Sequence, residues 1–312
     1  MATDSRTTGG LAVATSGARA ATEAALRSKS NRDRTLNTVF VAMMMFAILF
    51  ALVGLVALIV FMFAEGGGRL TWGLLTNPPS TIHPDQAGFR TALLGTLYVI
   101  GGVVLLIVPL GVGAAVYLEE FANSERWWNR LIELNIQNLA GVPSIVYGIL
   151  GLAFIVRGPL SLGFVAAAGS LTLALLVLPT VILAAREAIR AVPSSIADGS
   201  LALGATQWQT IWKQILPAAL PGILTGIILA VARAIGEAAP LLLVGAVTFV
   251  TFNPRFFSDG YSTLPVMIYQ YSNRPQEEFR ILAAAGVLVM LALVLLMNSL
   301  AVWLRDRFER SW

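Results

Sequence analysis

The stretch Asp198–Gly245 reads DGSLALGATQWQTIWKQILPAALPGILTGIILAVARAIGEAAPLLLVG, and its two halves differ in character. The first half is amphipathic, carries Gln207, Trp208, Gln209 and Trp212, and lies between two apolar runs, which places it at a membrane surface. The second half is a long apolar helix interrupted by Arg233 and Glu237, two charges that a lipid-facing helix would lack. An ionisable pair on a membrane helix, joined directly to a structured surface loop, suggests part of a transporter.

Composition agrees with a membrane setting. Apolar residues make up 57% of the chain, charged residues 12%, and the mean hydropathy is +0.77. A soluble domain averages about 25% charged residues. The chain has no cysteine, which excludes a disulfide framework and thiolate metal sites. Basic residues are scattered and no recognition module is present, so nucleic-acid binding has no support. His83 is the only histidine and sits in a polar loop, which gives no basis for a metal centre.

Residues 1–34 carry six basic and three acidic residues among Ala, Ser, Thr and Gly, with no apolar core of a secretory signal. Asp4, Glu23 and Asp33 argue against an organellar transit peptide, so a disordered basic cytoplasmic tail is expected. Residues 35–64 form the first apolar span, since about 20 residues suffice to cross a bilayer. Residues 65–88 are an extracytoplasmic loop, and 89–305 hold the remaining spans. The second span runs over Thr91–Leu118, with Gly95, Gly101, Gly102, Gly111 and Gly113 as close-approach positions, and is closed by Glu119 and Glu120. The third, from about Leu134 to Val156, contains GVPSIVYGILG. There Pro143 opens a hydrogen bond that Ser144 could re-satisfy, which makes either a packing kink or a pore lining. The fourth is Gly163–Ala185, the fifth starts near Pro217, and the sixth is Ile281–Leu304, followed by a cytoplasmic tail, 306–312.

Residues 214–254 would make a helix of roughly 61 Å, about twice the hydrocarbon thickness. They hold either one span plus a re-entrant piece or two spans. Charge decides it: with six spans, 14 Lys/Arg fall on the cytoplasmic side and six opposite, whereas a seventh would export the basic tail. Six spans, with both termini cytoplasmic, is the expectation.

Arg233 and Glu237 are four apart and share a helix face, continuing a stripe of small residues through Gly226 and Gly222. On a straight helix Arg233 lies roughly 24 Å above Pro217, in the outer half of the membrane. Its planar guanidinium suits an oxyanion arriving from outside, with Glu237 neutralising or holding it. A purely structural ion pair is the alternative. The chain has no Walker A pattern, so a nucleotide that drives transport must be bound by another protein.

At this point the sequence resembles the permeases of ATP-binding-cassette importers, whose cytoplasmic loop reads EAA-x3-G-x9-I-x-LP. Here Asp198-Gly199-Ser200, Gly204 and Leu216-Pro217 stand at the matching places, while the acidic-Ala-Ala start and the isoleucine, here Gln214, depart from it. The resemblance implies an all-α type I importer permease fold (the MetI-like fold). It also implies a coupling loop at about 186–216, docking through Asp198, Ala202, Gly204, Ala205, Gln207 and Trp208 around Ala202–Gln209, with Leu216 and Pro217 as anchors.

The stretches GVPSIVYG, ARAIGEAAPLL and LPVMIYQYSNRPQEEF are similar to one of the two permeases of phosphate importers, over about Phe89 to Arg305. That resemblance implies translocation roles for Arg233 and Glu237. It further implies a homologous permease partner, two cytoplasmic ATPases holding ATP and Mg, a phosphate-binding protein outside, and the cell membrane of a bacterium. This chain itself would bind no cofactor and catalyse no covalent step. Molybdate or sulfate is the alternative cargo. A secondary transporter is the rival class, but no inverted repeat is evident and the loop spacing would go unexplained. A non-transporting scaffold would leave the two charges structural.

Overall fold

The computed structural model describes residues 7–123, 125–246 and 249–308, and all its regular elements there are helical. The chain divides into two compact units, Met1–Phe61 and Met62–Trp312. The first unit is helix α1 (Thr7–Gly66), which runs past the boundary. Where the sequence reading expects disorder up to residue 34, the backbone is helical from Thr7. Alanine and arginine, frequent in 11–34, are strong helix formers, so propensity there outweighs the lack of a core-facing stripe. The first six residues of that expected tail lie outside the described residues, as do 309–312 of the expected C-terminal tail.

The second unit begins with the loop 65–88, which contains a short helix, α2 (Trp72–Thr76). Arg69 pins the loop by donating to the carbonyls of Asp85, at 2.9 Å, and Pro84. His83 is exposed. Three membrane helices follow in a row around the core: α3 (Arg90–Phe121), α6 (Ala166–Arg190) and α8 (Gln207–Gly236). Helix α6 is the centre, for 72% of its apolar window is inside the protein against 33% in α3 and 28% in α8. The last span, α11 (Glu277–Phe308), packs on α8 and on the short helix α10 (Leu264–Ser272).

The close approach of these helices follows from small residues. On α8, Gly222 and Gly226 lie against Ala188 and Ala184 of α6, where a Cβ on Gly222 would sit 2.7 Å from that of Ala188. Helices joined through such a seam have no water-driven attraction in lipid and depend on contact packing. On α3, Gly95, Gly102 and Gly111 are close-approach positions, meeting the Ser262 carbonyl, Ser170 and Val181. Gly101 and Gly113 are not: nothing lies within 4 Å of the Cβ either would carry. Ser170 adds a polar tie, its hydroxyl donating to the Val99 carbonyl of α3 at 3.1 Å.

The third span differs from the single kinked helix read from the sequence. Helix α4 (Trp127–Ala140) and helix α5 (Ser144–Val156) meet at 108°, broken at Gly141–Pro143. Pro143 stands at the N-cap of α5, so it starts a new helix instead of bending an old one. The side chain that satisfies the break is not Ser144 but Tyr147, whose hydroxyl donates to the Leu139 carbonyl at 2.9 Å. The long segment 214–254 resolves as one span followed by a short helix, α9 (Ala239–Leu243). Among the described residues, five helices are long and apolar enough to cross a membrane, and the bent pair α4–α5, taken as one span, makes six.

Replacing Gly226 by Val should force α8 away from α6 and lower stability by about 1–3 kcal/mol, the usual range for overpacking. Gly101→Val should leave stability unchanged. Thermal unfolding of the two purified variants in detergent checks the contrast.

Candidate functional site

The C-terminal end of α8 is where the charges sit. The helix stops at Gly236, and Glu237 is already extended, with φ −78° and ψ 114°. This corrects the expectation that Arg233 and Glu237 share a continuous helix face, although the two still pair, Arg233 Nε lying 3.6 Å from Glu237 Oε1. Gly236 loosens the helix and Pro240 opens the next one, α9, so the break is written into GEAAP. Arg233 occupies the last turn of α8, where a cation faces the negative end of the helix dipole. Its side chain is 49% exposed and that of Glu237 is 18% exposed. The guanidinium therefore points into space this chain does not fill.

A second motif is brought against that break. Gly148 of α5 packs directly on Pro240, where a Cβ would come within 2.7 Å of the proline Cα. GVPSIVYG and ARAIGEAAPLL, about 90 residues apart in the chain, thus form one constellation. Pro143 and Ser144 lie one turn before Gly148, at the start of α5 on the α4–α5 elbow, exposed and half-buried respectively.

At the opposite, N-terminal end of α8, a short helix α7 (Ser194–Ala202) stands between α6 and α8 in the chain. It covers the first part of the expected docking stretch, while Leu203–Thr206 is the turn and Gln207 already begins α8. Asp198, Ala202 and Trp208 are exposed, and Leu203 at the corner is 91% exposed, a large apolar tip left uncovered. Gly204 makes the corner with φ +85°, a left-handed conformation that favours glycine. Thr206 then caps α8 in a reciprocal pair with Gln209, with bonds of 3.3 and 3.0 Å. Ala205 is half-buried in the turn, Gln207 donates to the Glu120 carbonyl at 2.7 Å, and Leu216 and Pro217 lie two to three turns further along α8.

Beside this corner lies a charged cluster that the sequence reading did not assemble. Arg186 of α6 is 5% exposed and forks between two helices, its Nε 2.6 Å from Glu119 of α3 and its Nη2 2.9 Å from Glu133 of α4. Arg190, one turn later, reaches the other oxygen of Glu119 at 2.9 Å. The signal was present: Glu119 closes one span, Arg186 and Arg190 share a face at the end of another, and an even number of crossings puts both ends on one side of the membrane.

The family profile described as "Binding-protein-dependent transport system inner membrane component" matches residues 107–311. The chain belongs to that family. Among relatives, it is 33% identical over 279 residues to the Mycobacterium tuberculosis "Phosphate transport system permease protein PstA 1", covering 88% of this chain and 90% of that one. It is 32% identical over 267 residues to the Haemophilus influenzae "Phosphate transport system permease protein PstA", covering 85% and 92%. The fold is similar to that of a chain in the inward-facing MetNI methionine ABC transporter, with TM-score 0.56, 19% identity, and coverage of 70% of this chain and 94% of that one. The protein is thus an all-α, multi-pass permease of the ABC importer type with a MetI-like fold.

The glycine at the corner after α7, Gly204, has a conformational reason. Gly204→Ala should cost about 1–2 kcal/mol, the penalty for a side chain in the left-handed region. Gly199→Ala, in an ordinary helical position with open space around it, should cost nothing. Thermal unfolding of both variants checks this.

Proposed function

We propose that this permease moves inorganic phosphate into a bacterial cell, and that Arg233 and Glu237 lie on the path. The observation that carries the reading is the half-exposed guanidinium of Arg233 at a helix break, which in this reading lies in the outer half of the membrane. It is held by one long contact to Glu237 and is therefore free to take a new acceptor. Arginine presents a planar fork of donors that matches tetrahedral oxyanions, and its charge is retained at any physiological pH. The relatives named as phosphate transport permeases supply the cargo class.

The pore in this reading forms against a second, PstC-like permease, onto which the open side of Arg233 faces. Glu237 keeps the guanidinium neutralised until the anion arrives and competes for it. Two PstB-like ATPases below hold ATP and Mg; this chain supplies only the docking surface, made by α7 and the exposed corner at Leu203. A PstS-like phosphate-binding protein delivers cargo from outside. Docking at Asp198, Ala202, Gly204, Ala205, Gln207 and Trp208 would be transmitted along α8, past Leu216 and Pro217, to Arg233. Switching between outward- and inward-facing states then follows from the differential affinity of the nucleotide-bound ATPases for the two states. Both termini are cytoplasmic in this arrangement, as the charge bias requires.

The test is ATP-dependent uptake of labelled phosphate into proteoliposomes holding this chain and its partner subunits. Arg233→Gln should lower uptake tenfold or more with the complex fully assembled and ATP hydrolysis retained, and Arg233→Lys should recover part of the loss. Unchanged uptake in Arg233→Gln would reduce the pair to a structural lock. A well-assembled wild type that carries sulfate or molybdate but no phosphate would overturn the cargo.

A further inference from the structure

The charged cluster at the inner ends of α3, α4 and α6 has no part in cargo chemistry, yet it sits where movement must pass. We propose that Arg186 is a positioning residue that carries the displacement of α7 into α4 and α5, and so to the outer break beside Arg233. The proposal rests on the reading of α7 as the docking element for a motor subunit.

Helix α7 joins α6 through Ala191–Pro193 and α8 through the turn at Leu203–Thr206, and its Ser200 hydroxyl meets that of Thr210 on α8 at 2.9 Å, so a push on it enters both helices. Helix α8 leads straight to Arg233, but a rigid rod alone carries Arg233 and Glu237 together. Opening the break requires Pro240 to move relative to the end of α8. Pro240 rests on Gly148 of α5, α5 is joined to α4 across the 108° elbow, and Tyr147 locks that elbow through the Leu139 carbonyl. The polar side-chain tie from α6 to α4 is Arg186 on Glu133, with the same guanidinium holding α3 through Glu119. The structure thus has two arms from α7 to the outer site, and Arg186 is the joint of the second.

The chemistry of the joint suits movement. A close-packed apolar contact resists sliding, because displacement opens a void. Here a cavity of about 280 Å³ is lined by Glu119, Asn129, Glu133, Arg186 and Arg190. Asn129 Oδ1 is buried at its edge without a hydrogen-bond partner, a spare acceptor to which a guanidinium N–H can transfer as the helices shift. A forked donor can exchange oxygens while keeping its charge paired, which a lysine ammonium on a single point contact does less well.

The experiment uses the complete importer in proteoliposomes and reads three quantities together: ATP hydrolysis, its stimulation by phosphate-loaded binding protein, and phosphate uptake. Glu133→Leu cuts the α4 arm at a side chain that is 36% exposed and so tolerates the change. Its ATP hydrolysis should stay within about twofold of wild type, while stimulation and uptake per ATP fall roughly tenfold. Glu133→Gln, which keeps an acceptor for Arg186, should recover most of the coupling. Should Glu133→Leu fail to assemble, Arg186→Lys should show the same separation of uptake from hydrolysis. Uptake and hydrolysis that fall in parallel, or coupling that is untouched in the assembled variants, would overturn the joint. A wild type that shows stimulation but no phosphate uptake would remove the cargo assignment alone, leaving stimulation in the variants to judge the joint.

Discussion

The buried guanidinium of Arg186 sets the arrangement of the helix ends beside α7. A charge that is 5% exposed at the end of a membrane helix has to be met by opposite charge, since an unpaired ion there would cost several kcal/mol. Two carboxylates from two other helices meet it, and that requirement fixes where α3 and α4 end relative to α6. Removing one member of such a buried set leaves the other uncompensated, at a cost of about 3–5 kcal/mol when the partner is fully enclosed. Glu133 is the most open of the three, so its loss is the mildest way to loosen the set.

The outer half is built on the opposite principle. Arg233 is half open and Glu237 sits past the end of its helix, with 3.6 Å between the interacting atoms. Where the inner cluster satisfies its charges within the chain, the outer pair leaves capacity unspent. An intramembrane charge kept only loosely paired is energetically costly unless water or a passing ion completes it. The glycine seams reconcile the two halves. Gly222 and Gly226 hold α8 tightly to α6 near the inner side, and Gly148 lets α5 reach Pro240 near the outer one. Each seam is a place where backbones touch with no side chain between, which transmits displacement with little lost to side-chain repacking.

The spans, their number and the inner corner were legible because each has a local cause. Apolar length marks a span, the basic bias decides between six and seven, and Gly204 with Leu216-Pro217 marks the corner and the helix after it. The outer break was only half legible. GEAAP contains both a helix-loosening glycine and a helix-starting proline, yet Arg233 and Glu237 at a spacing of four also fit an unbroken helix, and spacing alone cannot separate the two. Pro143 misled in the same way, since a proline within an apolar run fits a kink or a new start, and the 108° elbow depends on packing of α5 against α9. Gly101 and Gly113 look like Gly102 and Gly111 in sequence, and only the neighbouring helix tells them apart.

The cluster around Arg186 was missed for a different reason, because its members are 53 and 67 residues apart. Sequence reading treated Glu119 as a span terminator and Arg186 as part of a cytoplasmic charge count. Counting charges by side of the membrane discards which helix end each belongs to. Helices α3 and α6 are separated by one crossing, α4–α5, so both end on the same side, and opposite charges at those ends become neighbours once the two helices pack. The same reasoning applies wherever an acidic span end and a basic span end share a side. It explains why a basic residue that serves topology during insertion can, in the folded bundle, be withdrawn from the lipid surface altogether. Arg186 fills both roles with one charge, and that double demand ties the orientation of the chain to the packing of its core.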